Sequence, residues 1–302
     1  MSEVQNSLPT VSIGIPAYNE EANIKKLLTS LLQQKQGSFV LEKIIVVSDG
    51  SSDNTVTEAN SINDPRVIVV DSKERKGQAA RQNEILEMFE GDILVLLNAD
   101  MLPRDLYLEN MVEPFSKIEN LGLVSNRVVP LDAVTFIEKV INFSIRLKFR
   151  MLEGWRGGDN IYMCRGASRA FSKELASELR FGETVAEDAF SYLFNKSKGY
   201  KFFYSKEAIV NYRSPQTLTD HKKQSVRFMN TRGDLQRFFP QIEVSKEYDF
   251  PKYLLFREVF LGLIYHPILM ISYLLIQVYI FLTGRNIKVS TVWETSATSK
   301  NL

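Results

Sequence analysis

Residues 44–53 read IIVVSDGSSD, and residues 93–100 read ILVLLNAD. In each stretch an unbroken apolar run, typical of a strand covered on both faces, ends in polar residues that include a carboxylate. Ligands of open α/β sheets bind beyond the carboxyl ends of the strands. Carboxylates at two such ends can converge on one pocket, where they can bind a sugar or base hydroxyl and a divalent cation that bridges phosphates. The pattern therefore predicts an enzyme that uses a nucleotide-activated substrate.

Strand and helix patterns alternate around these two runs. Val11–Ile15 predicts a first strand, and the apolar residues of Ile24–Leu32 recur at helical spacing. Val67–Val70 predicts a third strand, and Gly77–Phe89 predicts the helix that precedes the fourth. Strands that alternate with helices predict a doubly wound, mostly parallel sheet with helices on both faces.

The second half of the chain is less regular. Ala133–Leu152 has a helical period with basic residues interspersed. This pattern fits an interfacial helix lying on anionic lipid, and it fits equally a helix packed on the domain's own core. Alternating apolar segments resume at Ile161–Phe171, and Tyr200–Tyr212 predicts a pair of late strands.

The bulk composition excludes several classes of protein. With 37 Lys and Arg against 36 Asp and Glu, the net charge is +1, so no nucleic-acid partner is expected. The single cysteine, Cys164, cannot form an internal disulfide and fits a reducing compartment. The glycine-rich signatures of P-loop enzymes and dinucleotide-binding dehydrogenases are absent from the sequence. Two histidines are too few for a zinc or Ser-His mechanism, and metal ligation by His221 is not favoured.

One segment near the C-terminus is much more apolar than the rest. The 25 residues Val259–Thr283 contain only two strongly polar side chains, His266 and Gln277. Such a run can cross a hydrocarbon core of roughly 30 Å. We predict that it is embedded in the cell membrane, as a single span or a monotopic segment kinked at Pro267. A buried core helix broken near Pro267 is the alternative. Abundant Lys and Arg upstream predict a cytoplasmic main domain.

Two groups of residues could contact a nucleotide by position alone. After the first strand, Tyr18 could stack on the base and Glu20 could accept a hydroxyl, although a plain strand-to-helix turn explains the same residues. Asp49 could accept a hydrogen bond from a base N–H or a ribose hydroxyl. Asp53 is better suited to cap the next helix.

Six motifs, taken in order, resemble those of the family 2 glycosyltransferases, which share the GT-A fold. The resemblance covers roughly residues 10–230. The matching residues are Pro16, Tyr18, Asn19 and Glu20; Asp49, Gly50, Ser51, Asp53 and Thr55; Gly77 and Asn83; Asn98-Ala99-Asp100; Gly166, Ala167 and Phe171; and Glu187-Asp188.

The resemblance implies a nucleotide-diphosphate-sugar donor and a divalent metal, Mg²⁺ or Mn²⁺. It implies that Asp100 binds the metal. Asn98 stands where the family usually has an aspartate, and an amide oxygen is a weaker, neutral ligand, which leaves an inactive relative as an alternative. The residues implied to bind the nucleotide-sugar are Pro16, Tyr18, Glu20, Asp49, Gly77, Asn83 and Asn98.

On the acceptor side, the resemblance implies that Asp188 is the catalytic base of an inverting transfer and that Glu187 supports it. Acidic residues that match the dipole of a helix N-terminus would give the same pair. Gly166 is implied to lie near the acceptor. Gln224 and Arg227 resemble a Gln-x-x-Arg-Trp motif, with Phe in place of Trp, that contacts the acceptor and the diphosphate; a solvated basic helix is the alternative.

These features together predict a domain organisation and a function. We expect a tail at 1–9, a GT-A domain at 10–245 with a nucleotide-sugar half (10–130) and an acceptor half (131–245), a membrane-embedded helical segment at 252–284, and a tail at 285–302. The acceptor is expected to be lipid-linked or a polysaccharide. A non-catalytic membrane subunit that binds nucleotide or glycan is the alternative from another class. A nucleotidyltransferase would have a basic, glycine-rich loop where residues 16–20 stand.

Overall fold

A computed structural model describes residues 8–230 and 232–284, with the side chains of residues 228–234 outside that description. The predicted C-terminal tail and most of the predicted N-terminal tail thus lie outside the described residues. Eight strands form one sheet in the order β3-β2-β1-β4-β7-β6-β8-β5. The strands are β1 (Thr10–Ala17), β2 (Val40–Asp49), β3 (Val67–Ser72), β4 (Ile93–Leu97), β5 (Leu102–Pro103), β6 (Leu121–Pro130), β7 (Ser168–Ser172) and β8 (Lys201–Tyr212).

Helices cover both faces of this sheet. In the helix Ile24–Leu32, for example, Ile24, Leu27, Leu28 and Leu31 recur at helical spacing and are buried. The helices are α1 (Ile24–Leu32), α2 (Thr55–Asn60), α3 (Gln78–Met88), α4 (Tyr107–Val112), α5 (Pro114–Lys117), α6 (Phe136–Leu152), α7 (Lys173–Glu178), α8 (Glu187–Ser197), α9 (Leu218–Asn230), α10 (Arg232–Phe238), α11 (Val244–Glu247), α12 (Lys252–Tyr265) and α13 (Pro267–Gly284), with a short 3-10 helix at Trp155–Gly158.

The N-terminal half of the sheet confirms the predicted parallel arrangement. β1 pairs in parallel with β2 and β4, and β2 pairs in parallel with β3. Every residue of β4 is buried, and so are the last six residues of β2, as expected for strands covered on both faces. The carboxyl ends of these strands therefore open at one edge, where the predicted polar turns begin.

The C-terminal half is mixed. β7 is antiparallel to both β4 and β6, and β6 is parallel to β8. The predicted strand pair at Tyr200–Tyr212 is wrong, because these residues form one long strand whose register shifts opposite Asn126 and Arg127. β6 escaped sequence analysis because Asn126, Arg127 and Pro130 interrupt its apolar pattern.

Helix α6 is packed within the protein. Eleven of its residues are buried, among them Ile141 and Ile145 in the main core, so of the two readings of this segment the structure favours a helix packed on the domain. On another side, Val140 contacts Ile276 and Ile280 of α13. Helix α6 thus lies between the sheet and the C-terminal helices.

The apolar C-terminal segment forms two helices that meet at His266 and Pro267. Proline lacks the N–H that would continue the first helix, so a break at this point is expected. Helix α13 is the one described helix long and apolar enough to cross a membrane, with a mean hydropathy of 1.8 over 18 residues. It packs on α6 and α9 along one side, and its other side exposes large apolar residues, including Leu275 and Leu282.

Candidate active site

Asp49 holds together the loop between β3 and α3. One carboxylate oxygen accepts hydrogen bonds from the Lys76 N–H (2.7 Å) and from Arg81 Nε (2.7 Å), and the other accepts from the Gly77 N–H (2.9 Å). Asp49 is 5% exposed and Arg81 is 2% exposed. The carboxylate that we predicted to bind a nucleoside thus organises the loop beside the nucleoside position, and three of its roughly four acceptor positions are used.

Two glycines let the backbone form this loop. Gly50 has a φ of +68°, and a Cβ there would lie 3.2 Å from the backbone of Lys73, Glu74 and Arg75. Gly77, at the start of α3, has a φ of +89°. Both torsions fall in a region that is costly for residues with a side chain. The glycines of both motifs are therefore explained by backbone conformation.

The loop after β1 lies against the turn after β2. The N–H of Glu20 donates to Thr55 Oγ1 (2.7 Å), and its carboxylate accepts from Asn23 Nδ2 (3.0 Å). The ring of Tyr18 faces the Arg75 guanidinium, whose carbon lies 3.6 Å from the ring centroid, as in a cation–π contact. Pro16, which was also predicted to bind the nucleotide-sugar, lies within β1 and pairs with Val47 of β2. The predicted nucleoside contacts of Tyr18 and Glu20 stay predictions, at positions that border this loop.

Asn83 connects α3 to the segment after α7. Its side-chain N–H donates to the Phe181 carbonyl (2.9 Å), and its side-chain oxygen accepts from the Phe181 N–H (2.8 Å). Both polar atoms are thus bound to the backbone of the chain. The predicted contact of Asn83 with the donor stays a prediction, and the observed role is to position α3.

The metal motif follows β4. The Asn98 N–H donates to the Ala167 carbonyl (3.0 Å), which connects this turn to the segment that contains Gly166. Asn98 Oδ1 accepts from Gln78 Nε2 (2.8 Å), so its amide oxygen is directed toward α3. Asp100 is partly exposed, and its negative charge acts on both Arg227 and Tyr212. Asp100 therefore lies near residues of β8 and α9, and its predicted metal ligation stays a prediction.

The predicted base and the predicted acceptor glycine lie side by side. A Cβ at Gly166 would be 3.7 Å from a carboxylate oxygen of Asp188. Asp188 is the second residue of α8 and is partly exposed, while its carbonyl accepts from the buried thiol of Cys164 (3.2 Å). The partly exposed Asp188 carboxylate thus lies beside a residue without a side chain, which leaves space next to it.

Glu187 faces the interior. Burial raises its pKa, and the positive charges of Arg227 and Arg169 oppose that shift. The Glu187 carbonyl accepts from Arg169 and from Ser191 Oγ (2.7 Å), which fixes the first turn of α8. The predicted supporting role of Glu187 stays a prediction, and the observed one is to hold the start of α8 through its carbonyl.

Arg227 lies near three acids, Glu187, Asp188 and Asp100. Burial lowers its pKa, and the negative charges of Glu187, Asp188 and Asp100 oppose that shift. Gln224 lies one turn earlier on α9 and is exposed. The structure thus brings Asp100, Asp188, Glu187 and Arg227 together from three separate segments.

Several polar residues that hold the candidate site together were not predicted from the sequence. Arg81 shares the core-facing side of α3 with Ile85, and its i, i+4 spacing was an available signal of burial. Arg169 lies in the fully buried strand β7, where a charge implies a dedicated partner. No comparable indication was present in the sequence for Gln78 and Arg75. Gln78 is the first residue of α3, and Arg75 lies in the loop before it.

Comparison with known proteins identifies the family to which this arrangement belongs. The model described as "Glycosyl transferase family 2" matches residues 12–180, more than half of the chain. Poly-beta-1,6-N-acetyl-D-glucosamine synthase of Staphylococcus aureus (strain COL) is 26% identical over 272 residues, which are 86% of this chain. The match covers 63% of that synthase. Glycosyltransferase AglE of Haloferax volcanii is 34% identical over 114 residues, 37% of each chain.

Solved structures share the fold. The mannosyltransferase PcManGT of Pyrobaculum calidifontis, solved with GDP-Man and Mn²⁺, superposes with a TM-score of 0.61 at 21% identity, covering 92% of this chain and 77% of that one. Glucosyl-3-phosphoglycerate synthase of Mycobacterium tuberculosis, solved with Mn²⁺, UDP and phosphoglyceric acid, gives 0.54 at 20% identity, covering 73% and 78%. At such identities the similarity establishes the GT-A fold.

Proposed function

This chain belongs to glycosyl transferase family 2 and is a glycosyltransferase, and on that premise we propose that it transfers one sugar, with inversion, from a nucleotide-diphosphate-sugar to a membrane-proximal acceptor. The observation that carries this proposal is that the negative charges of Asp100 and Asp188, from two separate segments, both act on Arg227 of a third. The apolar side chains that α13 exposes support an acceptor near a membrane, lipid-linked or a polysaccharide.

The donor nucleoside would bind between the loops after β1 and β2. Tyr18 and Glu20 border this space, and Asp49 holds the Lys76–Gly77 backbone at its edge. Because Arg75 covers one face of the Tyr18 ring, a base that stacks on Tyr18 would use the other face or displace Arg75. We place the nucleotide-sugar half at residues 10–130 as part of this proposal.

A divalent cation fits the site when a diphosphate is bound. No group of three or more His, Cys, Asp or Glu side chains that could hold a metal occurs within residues 8–230 and 232–284. Mg²⁺ commonly takes one or two carboxylates and completes its shell with waters and substrate phosphates, so Asp100 alone can supply the protein ligand. Such an ion would neutralise charge on the diphosphate. The mannosyltransferase of similar fold was solved with GDP-Man and Mn²⁺, which supports this assignment.

Asp188 would take the proton of the acceptor hydroxyl. The hydroxyl oxygen attacks the anomeric carbon, the bond from that carbon to the diphosphate breaks, and the proton moves to the Asp188 carboxylate. Gly166 leaves space for the acceptor beside this carboxylate. Arg227, which faces the same acids, would neutralise charge that develops on the leaving diphosphate.

The C-terminal helices would attach the enzyme to the cell membrane with the catalytic domain in the cytoplasm. Helix α13 exposes apolar side chains over most of its outer side, with Leu275 65% and Leu282 72% exposed. Because its inner side packs on α6 and α9, attachment by one immersed face accounts for the geometry at least as well as a single span.

The test is nucleotide release from a panel of UDP-, GDP- and TDP-sugars with Mn²⁺ and a membrane lipid extract as acceptor. We expect one donor to give lipid-stimulated release. Asp188→Asn should lower the rate by about 10²–10⁴-fold, the usual contribution of a general base, with donor binding unchanged. Glu183→Gln, an exposed carboxylate on the segment before α8, is the matched control.

The result can refute the proposal in two ways. If Asp188→Asn turns over as fast as Glu183→Gln, Asp188 is not the base. If the product retains the anomeric configuration of the donor by NMR, the proposed inversion is wrong. Binding of a nucleotide-sugar without any release would mean either that the acceptor is missing from the extract or that the protein is the non-catalytic subunit suggested by Asn98.

A further inference from the structure

Helix α6 contains four basic residues, and only one of them, Lys148, is directed inward without a partner in the described part of the chain. Arg150 forms an ion pair with Glu258 of α12 (3.1 Å), and Lys139 and Arg146 are exposed. Lys148 is partly buried, and burial together with the charge of Arg165 lowers its pKa to about 8. Within residues 8–230 and 232–284, no hydrogen bond or ion pair satisfies the Lys148 ammonium. A buried cation without a carboxylate is costly to a fold and therefore calls for a ligand.

His221 of α9 faces this lysine. It is 8% exposed, and its Nδ1 has no hydrogen-bond partner among the described residues. Burial and the charge of Lys148 lower its pKa to about 4, so the imidazole is neutral at physiological pH and carries one N–H donor. His221 thus has a buried polar atom without a described partner, as Lys148 does, and it belongs to a different helix. Both residues indicate that a polar ligand could bind between them.

Arg165 completes the group from the segment before β7. Its guanidinium stacks near the Phe149 ring, 5.0 Å from the centroid, and no carboxylate of the described chain pairs with it. Its backbone N–H donates to Ser125 Oγ (3.0 Å), which fixes the residue in the chain. Gly166, the next residue, lies against the Asp188 carboxylate. Arg165 therefore lies one residue from the proposed acceptor position, and its charge also acts on Lys148.

We propose that Lys148, Arg165 and His221 form a subsite for a phosphate group carried by the acceptor; this inference rests on the proposed transferase function. Two cations and a neutral N–H donor match the charge and the several acceptor oxygens of a phosphate monoester. The leaving diphosphate is assigned to Asp100 and Arg227, so this second cationic group is available to a different phosphate. A neutral glycan would leave both cations uncompensated.

The surroundings favour a phosphate attached to an apolar chain. The two helices that carry Lys148 and His221 are the helices on which α13 packs, through Val140, Leu218 and Ile276. An amphiphile could thus place its phosphate among the cations and its chain along the exposed side of α13. A soluble phosphate ester has the same headgroup chemistry and is distinguished by experiment.

The direct readout is the NMR signal of His221, because the chain contains only two histidines. His221→Asn assigns the signal. We would titrate the full chain in detergent with farnesyl phosphate, inorganic phosphate and farnesol, without donor or metal. Both phosphates should move the His221 signal and raise its pKa, since a nearby dianion favours the imidazolium. Farnesol should not, and His266 should not respond.

Variants test the lysine. Lys148→Met should weaken farnesyl phosphate binding at least tenfold, while Lys139→Met, an exposed lysine of the same helix, should leave it unchanged. Binding of UDP and GDP with Mn²⁺ should be the same in both variants and the parent, which separates this subsite from the donor site. An unchanged or higher melting temperature of Lys148→Met would show that the variant folds.

Each outcome decides. If the His221 signal ignores both phosphates at millimolar concentration, or if Lys148→Met weakens nucleotide binding as much as phosphate binding, the subsite is refuted. If farnesyl phosphate binds at least tenfold more tightly than inorganic phosphate, the source is a lipid; equal affinities assign the subsite to a soluble phosphate ester. These measurements need no turnover. Failure of the subsite proposal can therefore be distinguished from failure of the proposed transferase activity.

Discussion

Replacing Asp49 by Asn should destabilise the whole domain, although the motif that contains Asp49 predicts a ligand-binding residue. The carboxylate accepts from two backbone N–H groups, of Lys76 and Gly77, and from the buried Arg81. An asparagine keeps one acceptor oxygen and replaces the other by an NH₂ group. That NH₂ group would point at an N–H donor of the loop or of Arg81. At least one bond is lost, and of its two carboxylate partners the buried Arg81 keeps only Glu84, which is less buried than Asp49.

The magnitude follows from burial. Breaking a buried ion pair by removing one partner costs about 3–5 kcal/mol. Losing one or two charge-assisted hydrogen bonds at about 1.5–3 kcal/mol each gives a similar total. In domains of roughly 150–250 residues, 1 kcal/mol lowers the melting temperature by about 2–4 °C, so we expect a drop of roughly 6–20 °C.

The assay is thermal unfolding by circular dichroism of four proteins: the parent, Asp49→Asn, Arg81→Met and the double variant. If the two residues act as a pair, the double variant should lose less stability than the sum of the single variants. Asp71→Asn is the control, because its ion pair with Lys73 is on the surface and such pairs contribute about 0–1 kcal/mol. If Asp49→Asn melts as Asp71→Asn does, or if the single effects add, Asp49 does not anchor the loop and the reasoning is refuted.

Three further expectations follow from the same contacts. Asn98→Asp should tighten Mn²⁺ binding in the presence of a nucleoside diphosphate, by titration calorimetry, because a carboxylate is a stronger ligand than an amide; unchanged affinity would remove residue 98 from the metal's surroundings. Leu275→Lys should reduce sedimentation with lipid vesicles at least tenfold, since a charge in the hydrocarbon region costs about 2.5–3.5 kcal/mol, whereas Val40→Lys, remote on β2, should not; equal retention would mean that α13 is not immersed. Because His221 has a pKa of about 4 when folded and 6.5 as its ordinary value, the unfolded chain binds the proton first as pH falls. Stability should therefore decline through that window by up to about 3 kcal/mol, and the decline should be absent in His221→Asn; parallel melting curves from pH 7 to 4.5 would contradict this.

The periodicity of the sequence was enough to find the parallel half of the sheet and its helices. The apolar runs that end at Asp49 and Leu97 became β2 and β4, and the predicted helix at Gly77–Phe89 became α3, because burial of one face or two is recorded in the spacing of apolar residues. The predicted membrane segment, residues 252–284, coincides with the start of α12 and the end of α13 for the same reason.

Only the tertiary structure decided what each polar residue contacts. Asp49 meets Arg81 across 32 positions of the chain, and Asn83 meets Phe181 across 98, whereas periodicity reports contacts within an element. The pattern of α6 likewise did not distinguish Lys148 from Lys139, since both are basic residues in one amphipathic helix. What separates them is the helix packed against each side, and that depends on how distant segments fold back on one another.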